Sequence, residues 1–403
     1  MNFATDPLNS IIEIIRGWLL SLGVPSSWAQ FILFVIGAGI LATVPMLITL
    51  GLIWAERKIL GRIQDRLGPN RVGPWGIFQT MADMVKIFTK ELITPEKVDR
   101  IPYNLAPILS VAGVLALWAI IPFGISIIGV NLNVGVLYLV AVGGFGTLGF
   151  LLAGWGSNNK YALLGAFRAI AQLISYEVPM AISLLIPVMF TGSLGMGDIV
   201  AKQDVWYIVL SPVAALIFFI ATIAEVGRSP FDLLEADSEL VSGFNIEYSG
   251  LKFGMFYVAD FLHAFTVSLL FSTLFLGGWR GPLAAQYPWL GFVYLLIKTV
   301  IVWFVSVLIR GSMPRIRIDQ MMFFNWKVLT PLSLGLLVTT ALVDKVIPVG
   351  QTALRVIGLL IMNGLLLLIT NFIWRGVSSS KVRPVVAPEP YGGQKTGIKE
   401  VSS

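Results

Sequence analysis

Cysteine is absent from this 403-residue chain and histidine occurs once, at His263. Without thiolates the chain can hold no cysteine-ligated iron–sulfur cluster, no thiolate zinc site and no disulfide, and it can carry out no thiol catalysis. One histidine leaves no bis-histidine haem. Charge is equally scarce. Asp, Glu, Lys and Arg make up 12% of the residues against 56% hydrophobic ones, about half the roughly 25% charged share of soluble domains. A soluble fold of this size needs a far more polar surface, whereas a bilayer removes that need. The net charge of +6 does not indicate nucleic-acid binding, because the basic residues flank apolar runs in the way the positive-inside rule describes.

What is present is a series of apolar segments of spanning length. About nine are expected, near 30–54, 102–128, 133–154, 162–190, 204–224, 252–276, 288–310, 326–346 and 353–374, so the fold class is an all-α integral membrane protein with large cytoplasmic loops. No cleavable signal peptide is expected at the start, where Asp6 and Glu13 precede a short apolar run. Residues 1–29 read as an interfacial helix, 30–376 as the polytopic domain, and 377–403, rich in Ser, Pro, Gly and Lys, as a flexible cytoplasmic tail. Most basic residues fall on one side of this arrangement. Only Arg16, Lys202, Arg280, Lys345 and Arg355 lie on the other, which places the N-terminus outside and the C-terminus in the cytoplasm.

Four constellations carry the remaining charge. The first loop begins W-A-E-R-K-I-L-G-R-I-Q-D-R-L-G-P-N-R-V-G-P, with Glu56, Arg57 and Lys58 at the membrane exit, Arg62, Arg66 and Arg71 following, and Gly68-Pro69-Asn70 as a turn. Further on, Asp83, Lys86, Lys90 and Glu91 alternate with apolar residues in a stretch that reads as a helix lying on the membrane. The fourth span carries Arg168 and Gln172 on one face and Glu177 deeper. A carboxylate inside a span is expensive and usually faces a cavity or a partner. Arg168 and Glu177 are about 13–14 Å apart along a helix, too far to pair within it.

The third constellation, A-E-V-G-R-S-P-F-D-L-L-E-A-D-S-E-L-V-S-G-F-N-I-E-Y, runs from Glu225 and Arg228 through Asp232, Glu235, Asp237, Glu239 and Glu247. It breaks the positive-inside trend, and Phe231, Leu233, Leu234, Leu240, Val241 and Phe244 are interleaved with the acids. That mixture reads as a packed segment whose carboxylates repel one another and line a cavity. In the sixth span Asp260 and His263 share a face; Asp260 is the stronger functional candidate and His263 reads as a packing residue. Lys298 extends the polar file across the membrane or snorkels. The last constellation, I-R-G-S-M-P-R-I-R-I-D-Q, places Arg310, Arg315, Arg317 and Asp319 after the seventh span.

These residues closely resemble those of the quinone-site membrane subunit of respiratory complex I, the NADH:quinone oxidoreductase family. The likeness covers roughly 30–346. It rests on E-R-K followed by Q-x-R-x-G-P-N-x-V-G, on G-W-x-S-N-x-K-Y-x-L-L-G and R-A-x-A-Q-x-I-S-Y-E, and on E-x-x-R-x-P-F-D-L-x-E, E-L-V-x-G-F-x-x-E-Y and R-x-x-x-P-R-x-R-x-D-Q. The resemblance implies a quinone chamber involving Glu56, Arg57, Arg66, Arg228, Phe231, Arg310 and Arg315. It implies a proton path through Asp232, Glu235, Asp237, Glu239, Glu225, Glu177 and Asp260. It further implies quinone as substrate and no cofactor bound by this chain. Iron–sulfur clusters and flavin would sit on peripheral-arm partners, with antiporter-like subunits beside it in a bacterial-type cell membrane. Asp237 stands where the family usually has Glu, and Ile318 where an aromatic is common. The ninth span and the tail extend beyond the commonest family form. The alternatives are the homologous subunit of a membrane-bound hydrogenase or ferredoxin-linked complex, a stand-alone ion-coupled transporter, which the lack of repeat symmetry disfavours, and a scaffold, which the intramembrane acids disfavour.

Overall fold

The computed structural model describes residues 7–125, 127–234, 241–284, 286–347 and 352–379. Among them the regular structure is helical. Eight helices are long and apolar enough to cross a bilayer, and a ninth apolar helix, Pro212–Val226, has 15 residues. The tail beyond 379 and the acids Glu235, Asp237 and Glu239 lie outside the described residues.

A short helix α1 (Pro7–Ser21) precedes α2 (Ser26–Ile63), which runs for 38 residues. At 1.5 Å per residue α2 is about 57 Å long, nearly twice the hydrocarbon thickness. The helix runs on past the expected end of the first span near 54, through Glu56, Arg57 and Lys58, all good helix formers. It stops only where the chain doubles back towards Gly68. That return is fastened to the last turns of α2, with Lys58 Nζ donating to the Pro69 carbonyl (2.8 Å) and Trp54 Nε1 to that of Trp75 (3.2 Å). The amphipathic stretch follows as α3 (Gln79–Thr89).

α4 (Arg100–Trp118), α5 (Gly135–Gly156) and α6 (Lys160–Thr191) pack closely. Ala106, Ala153, Ala162, Ala166 and Ala169 are fully buried among them. Small residues let membrane helices approach where no aqueous hydrophobic effect drives them together. α4 ends ten residues before the expected boundary, at Trp118, ahead of the Pro122-Phe123-Gly124 breaker, where Phe123 N–H bonds the Ile127 carbonyl (2.9 Å). Asn159 caps α6 by accepting from the Tyr161 N–H, and its amide also donates to Glu247 (2.7 Å).

The fifth span is the shortest. After α7 (Met196–Ala201) and α8 (Tyr207–Leu210) the chain breaks at fully buried Ser211, and α9 (Pro212–Val226) covers about 22 Å. Irregular backbone at membrane depth is tolerated where protein covers it. Here the Ser211 hydroxyl donates to Asn363 (3.4 Å) of the last helix. α9 ends at Gly227 in the left-handed region (φ 70°), where a Cβ would collide with Leu234 Cδ1. Only glycine allows the chain to turn there and present Arg228 inward.

α10 (Gly250–Phe275) is the most buried span and contacts α2, α3, α4, α9 and the following helix. α11 (Pro288–Ser312) leads to α12 (Ile318–Phe324), a π-helical turn (Asn325–Leu329) and α13 (Thr330–Val346). α14 (Thr352–Ser379) closes the described chain. Lys298 on α11 donates to the carbonyls of Leu276 (2.8 Å), Gly278 (2.9 Å) and Arg280 (2.9 Å), so its ammonium holds the α10–α11 turn.

Candidate functional site

Glu56 is the centre of the site. It is 1% exposed, and its two oxygens face two cations from distant parts of the chain. Arg228 Nη1 lies 3.0 Å from Oε2, and Arg310 Nη1 bonds Oε1. Two local features bring the arginines there. Gly227 turns the end of α9 inward, and the segment after it is tied to the end of α11: Ser229 Oγ donates to the Met313 carbonyl (3.1 Å) and Ile316 N–H to that of Pro230 (3.0 Å). Arg228 Cζ also sits 5.2 Å over the Phe261 ring, and its Nη2 lies 4.0 Å from Asp260 Oδ2. Asp232 acts electrostatically on both Arg310 and Asp260. Of the sequence-predicted residues, Glu56, Arg228, Asp232, Asp260 and Arg310 thus form one cluster.

Arg57, the next residue of α2, points about 100° away around the helix and enters a second environment. Its Nη1 lies 2.5 Å from Asp83 Oδ2 on α3, and Lys86 is 3.4 Å from the same carboxylate. Burial pushes the Asp83 carboxyl up, but the Arg57 guanidinium bonded to it wins and holds it below the ordinary carboxylate range. This pair and Tyr257 stand at the polar end of an apolar cavity of about 290 Å³ between α2, α3 and α10. Ile53, Met84 and Val258 are among its walls, and exposed Leu47 and Phe88 stand at its edge. Gly254 sustains the close approach of α3 to α10, since a Cβ there would lie 2.7 Å from Ile87.

A third group lies deeper. Glu225 Oε1 is 3.8 Å from His263 Nε2. Both line a small cavity of about 40 Å³ together with Asp260. Glu177, on α6, acts electrostatically on Glu225. A file of ionisable groups therefore leads from the Glu56 cluster through Asp260 to Glu225 and on to Glu177.

The remaining predicted residues are placed elsewhere. Phe231 is buried in the apolar core against Tyr176 (5.3 Å between ring centroids), and its carbonyl accepts from Gln172 Nε2 (2.8 Å). It supports the loop and lines neither cavity. Arg66 is exposed and donates to Gln64 (2.7 Å); Arg315 is exposed at the end of the seventh span. Glu235, Asp237 and Glu239 lie outside the described residues. Two expectations change. Lys298 does not extend the file, because its ammonium is committed to three carbonyls. His263, read as packing, belongs to the file. Asp83 sits on a helix that the sequence reads as a surface element, and only its partner 26 residues away reveals its role.

On either side of residues 235–240, which lie outside the described residues, apolar side chains of the acidic segment pack inward. Leu233, Leu234 and Phe244 are buried, whereas Val241 is exposed. At its far end Tyr248 stacks on Tyr103 (4.3 Å, 8°) and donates to the Tyr103 carbonyl (3.0 Å), while Tyr103 donates to that of Glu247 (2.9 Å).

Fold and site together define a polytopic helical membrane protein with a file of buried and half-buried acids and arginines beside an apolar cavity. The chain belongs to the NADH dehydrogenase family, whose family model matches residues 36–341. Among similar proteins, the NADH-quinone oxidoreductase H subunit of Dehalococcoides mccartyi (strain CBDB1) is 47% identical over 321 residues, covering 79% of this chain and 90% of the relative. Its counterpart in Anoxybacillus flavithermus (strain DSM 21510 / WK1) is 45% identical over 326 residues, covering 79% and 96%. That of Carboxydothermus hydrogenoformans (strain ATCC BAA-161 / DSM 6008 / Z-2901) is 46% identical over 325 residues, covering 80% and 92%.

Proposed function

We propose that this chain, a membrane subunit of an NADH:quinone oxidoreductase, forms the membrane-side wall of the quinone chamber and couples quinone reduction to proton movement. The observation that carries the reading is the apolar cavity between α2, α3 and α10, which ends on Arg57, Asp83 and Tyr257. A quinone has an apolar tail and a head with two carbonyl oxygens. The cavity offers apolar walls to the first and hydrogen-bond donors at Arg57 and Tyr257 to the second. The adjacent residue, Glu56, belongs to the cluster that opens onto the acidic file.

Reduction of the head to the quinol takes two electrons and two protons. The electrons come from iron–sulfur centres of peripheral-arm partners, fed by a flavin, since this chain has no cysteine to ligate a cluster. Loss of positive or gain of negative charge near Arg57 and Glu56 shifts the proton affinity of Asp232 and Asp260, which share the field of Arg310. Glu225 and Glu177 pass that change sideways to antiporter-like membrane partners. The N-terminus lies outside and the C-terminus in the cytoplasm, as the basic flanks require. α1 lies in the interface.

Filling the cavity tests the reading. Ile53→Trp in the assembled complex is expected to lower quinone reductase activity at least tenfold while NADH oxidation with ferricyanide, which takes electrons before the membrane, stays unchanged. Full quinone reductase activity in this variant removes the cavity from the quinone route.

A further inference from the structure

We propose that His263 is the proton-carrying link between the Glu56–Arg228–Asp260 cluster and Glu225, through water in the cavity that these side chains share. The inference deepens the coupling reading above and rests on it. It starts from a gap: Asp260 and Glu225 belong to different helices, α10 and α9, and Asp260 faces Arg228 whereas Glu225 faces His263. His263 lies one turn from Asp260 on α10, and its Nε2 stands 3.8 Å from Glu225 Oε1. That separation is too long for a hydrogen bond and short enough for one after a small side-chain rotation or through one water.

The cavity at this point is polar where it needs to be. Its volume of about 40 Å³ has room for roughly two or three water molecules. Ser110, Thr147, Glu225, Asp260 and His263 supply polar groups around it. Water held by two to four polar partners is the condition for a stable buried site. The charged groups facing His263 are Arg228, Glu225 and Asp260, with Glu177 behind Glu225.

Imidazole suits this position because it has two nitrogens. One takes a proton from water on the Asp260 side, the other releases its own to the Glu225 carboxylate, and the ring returns to neutral. One proton enters and one leaves. An amide at this position could donate a hydrogen bond but could not take up and release the proton.

Three variants of the assembled complex test the proposal. His263→Gln keeps a polar side chain of similar reach and cannot be protonated. It is expected to lower kcat for quinone reduction at least fivefold, with KM for quinone, the NADH–ferricyanide rate and subunit content unchanged. His263→Glu restores an exchangeable proton and is expected to recover at least half of the lost kcat. A wild-type kcat in His263→Gln, or equal losses in both variants, overturns the proposal, the latter by assigning His263 to packing. Glu225→Gln separates the two readings. A normal kcat there means that the carboxylate path itself has failed. Loss in Glu225→Gln beside a normal His263→Gln removes the histidine alone.

Discussion

Two acids of this site, buried Glu56 and half-buried Glu225, are held in opposite ways. Glu56 is closed in by two arginines, each meeting one of its oxygens, and is 1% exposed. Glu225 faces one histidine at 3.8 Å and borders a cavity. A carboxylate met on each oxygen by a guanidinium group holds Arg228 and Arg310 in place. A carboxylate beside an imidazole and space for water can exchange. The contrast divides the intramembrane charges into those that set the field and those that respond to it.

Breaking the clamp should have the largest effect. Glu56→Ala takes this counter-charge from buried Arg228 and half-buried Arg310, a loss of about 3–5 kcal/mol for the buried partner. The complex is expected to assemble poorly and to lose quinone reductase activity, measured by subunit content and turnover in membranes. If turnover survives, Glu56 is not what holds the two arginines in place. Next comes the turn that delivers Arg228. Gly227→Ala forces a side chain into the left-handed region at about 1–2 kcal/mol and drives its Cβ into Leu234. Turnover should fall several-fold with assembly largely kept. A wild-type rate would show that Arg228 needs no such placement.

A weaker effect is expected at the polar end of the apolar cavity. Asp83→Asn removes a partly exposed pair with Arg57 worth about 0.5 kcal/mol. The variant should raise KM for quinone a few-fold and leave kcat nearly unchanged. Because the Asp83 carboxyl is held below its ordinary value, the pair's contribution is fully present above about pH 4 and is lost only as pH falls through the depressed value. Any pH dependence of turnover between about 6 and 8 must therefore arise elsewhere, and it should be the same in Asp83→Asn. Arg66→Ala is expected to do least, within about 0.5 kcal/mol of wild type in stability. A large loss of turnover there would show that this exposed arginine contacts the chamber in the assembled complex.

Much of this was legible in the sequence, for physical reasons that also mark where reading stops. Spans show because about 20 consecutive apolar residues have few other uses. The segment around Phe231 and Phe244 was readable as packed because apolar residues interrupt its acids. A hydropathy window, however, ends where charge begins, so it cut α2 at Trp54 although the helix continues to Ile63. The same average lengthened the fifth span, because it does not register the break at Ser211. Long-range partners left no local trace. Arg310 lies 254 positions from Glu56, and Asp83 lies 26 from Arg57. The approach of His263 to Glu225 left no local trace either, because Glu225 comes from another helix.

Lys298 bears on the coupling path proposed above. An ammonium with all three of its N–H groups engaged by the carbonyls of Leu276, Gly278 and Arg280 has no lone pair to receive a proton and no free donor to pass one on. It works as a stopper at the α10–α11 turn. On the proposed path that turn offers no exit, which leaves the side of Glu225 and Glu177 as the way out.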